Sequence, residues 1–244
     1  INFLKSLDGQ GIQNEYEALK QSLGRRPTLS EAYRAGMSMV EMRRQFGSWF
    51  ELLKEVGDLS PSQATVLNKH APLLKEFEIT SMNKSFKMVL AEAFQELNGW
   101  QHPPALPTLA LRSWEVLQRR RPLLADLDGM FDGHQTGQDE TWGRYWRDNP
   151  VNAWIGGNLR DRSSAHFEVR EGRFTPKASI TQEDLPDLQG MVQELVDFRL
   201  AAYEHRQGSA PVSNVIPFVR PARQGTELPF FPNIKIACGH FKTG

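Results

Sequence analysis

Apolar residues recur at spacings of three and four along most of the chain and alternate in one short stretch, so the pattern predicts helices and a single hairpin. Tyr16, Leu19 and Leu23 mark a helix over 14–23 that Gly24 closes. In Arg25-Arg26-Pro27-Thr28, Thr28 is placed to N-cap a short helix, with Glu31 in the capping-box position, and that helix ends near Gly36. Ser38 opens the next, with Met39, Met42 and Phe46 on one face, and Gly47 breaks it. Phe50, Leu53 and Val56 place a fourth over Trp49–Val56, ended by Gly57. Short helices joined by tight turns over 14–59 predict a helix-turn-helix unit.

Ser60-Pro61 begins a helical stretch to about Phe77, with Pro72 expected to break it. From Ser85 to Leu97 the residues Phe86, Val89, Leu90, Ala93, Phe94 and Leu97 form the widest apolar stripe in the chain, that of a core helix, and Asn98-Gly99 ends it. A Pro-rich link, His102 to Pro107, leads to a helix from Thr108 to about Arg120. Asp126 to Gln138, rich in Gly and Asp, reads as a flexible loop. Trp142, Tyr145 and Trp146 mark an aromatic helix expected to stop at Asn149-Pro150. His166–Arg170 and Arg173–Lys177 alternate apolar and polar residues around Glu171-Gly172, the pattern of a tight hairpin. A long helix follows from Asp184 to His205, then a linker from Gln207, then a Pro- and Phe-rich extended stretch. The expected units are 1–59, 60–206 and 207–244, the last opening a further domain.

At 244 residues the chain is long enough to bury a core without disulfides. Its one cysteine, Cys238, excludes a disulfide framework and a multi-cysteine zinc site. Twenty-nine basic and 29 acidic residues cancel, which excludes a uniformly basic nucleic-acid coat but leaves room for a local basic face. No apolar run approaches the roughly 18–20 residues of a membrane span, and no signal-peptide order opens the chain, so a soluble, cytoplasmic protein is expected. Beginning at Ile1 and ending just after the apolar Ile234–Cys238, the chain reads as a segment of a longer polypeptide.

Leu23-Gly-Arg-Arg-Pro-Thr28, Glu31, Met42-Arg-Arg-Gln-Phe-Gly-Ser-Trp49, Leu52-Leu53 and Gly57 together resemble a homing-endonuclease-associated repeat. The resemblance implies a small helical DNA-binding unit whose helix Ser38–Phe46 is presented to DNA. More widely, Met82–Leu90, Trp146–Trp154 and the hairpin Phe167–Phe174 are similar to the region after the motor in bacterial superfamily 2 DEAD/DEAH-box helicases of the restriction and phage-defence type. This implies a mainly α fold, a helix-turn-helix unit followed by a winged-helix-like α+β unit with one short β-hairpin. Glu227–His240 resembles the lead-in to a LexA-like peptidase fold. The motor's own phosphate loop and acidic box have no counterpart here, so ATP and Mg are expected only in the suspected parent motor.

Cations long enough to reach phosphates or base edges are the candidate chemistry. In the first unit these are Arg25, Arg26, Arg43 and Arg44, with the hydroxyls of Thr28 and Ser38; Glu41 and Glu51 weaken the local field, and a solvated helix face is the plainer account. Arg43 and Arg44 lie roughly 100° and 200° around from Met42, away from the apolar stripe. In the second unit they are Lys84, Lys87, Arg112 and Arg119-Arg120-Arg121, a run that equally suits a helix C-terminus. Of six tryptophans, only Trp100 and Trp154, in turns, remain candidates for base stacking; the others read as core. Cys238 and His240 are too few ligands for a metal site, and His70, His102, His134, His166 and His205 show no ligand spacing. Asp139-Glu140 and Glu183-Asp184 fall at helix N-termini, where capping explains them.

The expected function is a non-catalytic DNA-binding accessory region of an ATP-dependent restriction or defence helicase, with DNA and other defence subunits as partners. The alternative is a scaffold that docks a nuclease or other subunit, which the zero net charge favours.

Overall fold

The computed structural model describes residues 2–127, 129–131, 137–157 and 162–206, and it is mainly helical with one two-stranded antiparallel sheet. The predicted linker and strand beyond 206, with Cys238 and His240, lie outside the described residues, as does His134. Helix α1 (Asn2–Leu23) begins well before the predicted Asn14, and Ile12 joins Tyr16 and Leu19 in the core. Then follow α2 (Leu29–Arg34), α3 (Met39–Phe46) and α4 (Trp49–Glu55). Their N-caps repeat one device: the hydroxyls of Thr28, Ser38 and Ser48 accept from the backbone N–H of Glu31, Glu41 and Glu51. At Thr28 the Glu31 carboxylate also bonds back to the cap's N–H, completing the box.

Helix α5 (Pro61–Ile79) is two helical halves meeting at a kink just before Pro72, where the break was expected. The proline ring crowds the preceding turn, and the chain absorbs this at His70 (φ −120°, ψ 18°) before the helix resumes. Next come α6 (Phe86–Glu96), α7 (Leu106–Arg119) and a 3-10 turn, Arg121–Leu127. The loop expected from Asp126 is thus ordered at its start: Asp126 is buried and accepts from the Ser85 N–H at 2.7 Å and the Ser85 hydroxyl at 2.6 Å, serving the α6 N-terminus in place of a local cap. α8 (Glu140–Trp146) does not stop at Pro150; a π turn, Arg147–Val151, accommodates the missing N–H and leads to α9 (Asn152–Trp154).

β1 (Phe167–Arg170) pairs with β2 (Arg173–Pro176), closed over Glu171-Gly172 with φ of +49° and +70°. Both central residues have positive φ, as a type I′ hairpin requires, and the glycine bears it without strain. On its other edge β2 meets the start of α7, where Leu106 N–H donates to Gly172 O and Phe174 N–H to Pro104 O. The rings of Phe167 and Phe174 stack at 4.7 Å and face Phe94.

Trp100 and Trp154 are 6% and 3% exposed, which corrects their assignment as base-stacking candidates. Both rings pack on Phe77 and Phe167, Trp100 also on Phe94, and their indole N–H groups donate inward, to the Gln95 side chain and to Lys87 O. Trp49, Trp114, Trp142 and Trp146 are buried as the spacing predicts. The last helix, α10 (Leu185–Arg206), packs on α2, α5 and α6. One continuous apolar cluster therefore runs from Ile12 to Tyr203, across the 59/60 boundary drawn from sequence.

Candidate nucleic-acid interface

Helix α3 has two different faces. Met39 and Met42 are buried and Phe46 packs partly against the core. One residue round, Val40 is 69% exposed, the most exposed of the large hydrophobic side chains described. Ser38 and Arg44 share this outer surface, Arg44 bridged to Glu41 with its Nε at 2.9 Å and a terminal nitrogen at 2.5 Å. Val40 and Arg44 are one turn apart and so neighbours on it.

Arg43 departs from the expected outward direction. Its Nη1 lies 3.7 Å from Oε1 of Glu78, whose side chain is almost wholly buried at the end of α5. Glu78 also accepts from the Trp49 N–H at 3.0 Å, so α4 is capped from α5. Burial pushes the Glu78 carboxyl above the usual range, against the pull of the Trp49 N–H and Arg43.

The cations before α2 are turned inward or paired. Arg25 forks onto Glu31 at 2.9 and 2.6 Å, and that guanidinium, helped by the Thr28 N–H and hydroxyl, lowers the Glu31 carboxyl to about 2. Arg26 donates to Glu194 of α10 at 3.3 and 2.8 Å. The same carboxylate accepts from Leu29 N–H at 2.9 Å and from the Trp49 indole N–H at 2.8 Å, so one α10 side chain holds α2 and α4 together.

The arginine run at the end of α7 is likewise matched by acids. Arg112 meets Glu115 at 2.9 Å and Glu96 at 3.8 Å. Arg119 pairs with Glu96 and approaches Glu92 at 3.7 Å. Arg120 meets Glu92 at 2.9 Å and Glu204 of α10 at 3.7 Å, while Arg121 is exposed. Lys84 donates to Asp126 O at 2.7 Å and lies 5.6 Å from the Phe86 ring. Lys87 stands apart: it is half-buried, donates to the Thr80 hydroxyl at 2.6 Å and lies over the Trp154 ring at 5.4 Å.

Of the twelve predicted residues, then, Val40's neighbours Ser38 and Arg44 share one surface with Arg43 beside it. The α7 group forms a second surface on which Arg112, Arg119 and Arg120 are matched by acids and Arg121 is exposed. Three residues that matter at these sites, Glu78, Glu194 and Arg199, escaped the sequence reading. The available signal was a charge inside an apolar stripe: Glu194 falls three residues after Met191 and four before Phe198, and Arg199 lies four from both Leu195 and Tyr203.

A separate open groove of about 710 Å³ beside the start of α7 and α8 is lined by Leu106, Ala110, Leu111, Arg144 and Arg147 among others. Among the described residues no group of three or more His, Cys, Asp or Glu is placed to hold a metal ion, and no helix is long and apolar enough to cross a membrane. Compared with family models, with curated proteins and with solved structures, the chain matches none.

Proposed function

We propose that this chain is a DNA-binding accessory region whose reading helix is α3. The observation that supports this best is the outer face of α3, where a largely exposed apolar side chain, Val40, stands beside the cap Ser38 and the cation Arg44 on a helix whose other face is locked into the core. A side chain of this kind suits the thymine methyl in a major groove, and Arg44 reaches a base edge or phosphate once Glu41 releases it. The hairpin β1–β2 and the helices before it would be the winged-helix-like part, contacting DNA with the wing. The resemblance to post-motor regions of restriction and defence helicases supports a role in which this region supplies grip on DNA while ATP hydrolysis resides elsewhere in the parent protein.

A second reading, docking of another defence subunit, draws support from the ion-paired arginines of α7 and from the groove lined by Leu106, Ala110 and Leu111. Titrating the chain against a short duplex separates the two. Phosphate contacts make affinity fall steeply between about 50 and 200 mM salt. Val40→Ser with Arg44→Ala should leave the thermal midpoint within about a degree or two and weaken duplex binding by about 1–3 kcal/mol. Wild-type protein that ignores duplex at low salt would leave docking as the better reading.

A further inference from the structure

Three cations from three helices converge on the end of α5. Arg199 of α10 donates to the carbonyls of Glu78 and Thr80, Lys87 of α6 donates to the Thr80 hydroxyl at 2.6 Å, and Arg43 of α3 approaches the Glu78 carboxylate at 3.7 Å. Arg25, Arg26, Arg112, Arg119 and Arg120 each meet a carboxylate, whereas among the described residues neither Lys87 nor Arg199 has one within ion-pair distance. The acids facing the cluster are Glu78 and the more distant Glu76; Arg206 adds a further positive charge near Arg199. Burial, then the charges of Arg206 and Arg43, bring the Arg199 guanidinium down to about 10, and burial also lowers the Lys87 ammonium.

Stability explains part of this arrangement. A guanidinium on the last carbonyls of α5 completes a helix C-terminus. It does not fully account for Lys87: the Trp154 ring face and the Thr80 hydroxyl offset part of the cost of half-burying an ammonium, but among the described residues no carboxylate lies within ion-pair distance to offset the rest. The charge has a use if an anion arrives from outside, past the exposed Ile79 and Ser81 on either side of Thr80. Arg43 joins this site to α3, whose exposed face begins at Val40, one turn away.

We infer that Arg43, Lys87 and Arg199 seat one phosphodiester of duplex DNA, a backbone clamp beside the face of α3 that reads bases. The inference rests on the DNA reading above. The clamp positions the duplex and carries no sequence preference of its own. Lys87 supplies the two ammonium protons that Thr80 leaves unused, and Arg43 swings from its long contact with Glu78 to the phosphate.

The test uses the full chain, with Lys87→Met as the first variant and Arg43→Gln as the second. Thermal midpoints are measured in inorganic phosphate and in chloride at matched ionic strength, and affinity for a short duplex is measured across salt. Lys87→Met should melt no lower than wild type, lose any phosphate-specific rise in midpoint, bind duplex about 10-fold more weakly at low salt, and show a salt slope shallower by about one. Arg43→Gln should weaken duplex binding in the same direction. Lys87→Met that binds duplex as wild type does, with an unchanged slope, overturns the clamp even if wild type binds DNA well. Wild type that responds to phosphate through Lys87 yet ignores duplex overturns the DNA reading and leaves a free-phosphate site. A lower midpoint for Lys87→Met with unchanged affinity assigns the lysine to stability and also overturns the clamp.

Discussion

Two cationic regions of this molecule lie at helix C-termini, where positive charge meets the carbonyl end of the helix dipole. At the end of α7 three arginines follow one another in the chain; at the end of α5 the cations come from positions 43, 87 and 199. The first region is the denser in sequence and the more neutral in space. Glu92 and Glu96 of α6, Glu115 of α7 itself and Glu204 of α10 all face it. Among the described residues the acids facing the second are Glu78 and Glu76, and burial raises the Glu78 carboxyl. A run of arginines measures charge along the chain, but a phosphate responds to charge that tertiary neighbours have left uncancelled.

The sharpest way to break the comparison is to remove the support of the second region. Trp49 is fully buried, packs edge-on to Tyr16 at 5.8 Å and ties α4 to Glu78 and Glu194. Trp49→Ala should cost about 3–5 kcal/mol, read by denaturant unfolding, and should abolish duplex binding along with the fold of α2–α4. Next comes Glu194→Ala, which strands Arg26, the Leu29 N–H and the Trp49 indole together. It should cost about 2–3 kcal/mol, and an unfolding midpoint equal to wild type would show that α10 does not hold the first helices in place.

Arg119→Ala with Arg120→Ala sharpens the contrast itself. Losing the partners of buried Glu92 should lower stability by about 1–2 kcal/mol while duplex affinity stays within about twofold of wild type. A large loss of affinity would mean that the α7 arginines leave their carboxylates for DNA and that the two regions are alike.

The smallest effect is in acid. The native Glu31 carboxyl, at about 2, lies below its unfolded value, so its stabilisation is complete above about pH 4.5 and is lost as pH falls toward 2. Thermal midpoints followed from neutral pH into acid should fall less for Glu31→Gln than for wild type across that window. The sign reverses for Glu78 and Glu92, which burial raises: their contribution weakens as pH climbs above the unfolded carboxylate value.

Local chemistry was enough to read the caps at Thr28 and Ser38, the Met39–Met42 stripe, the Glu171-Gly172 turn and the core role of four tryptophans, because each depends on residues within a turn or two. The same sequence left Trp100 and Trp154 looking free, since turns carry no periodicity that reveals burial, whereas the break expected at Pro72 is present as the kink at His70. Which arginines are cancelled was beyond its reach. Arg26 meets Glu194 across 168 positions and Arg199 meets Thr80 across 119, and pairings of that span exist only once the helices have docked. The sequence by itself determined which segments are helical, which of their faces are apolar and how many charges are present. Tertiary structure alone decided which of those charges remain unmatched, because an electrostatic field depends on distances in space that no spacing along the chain encodes.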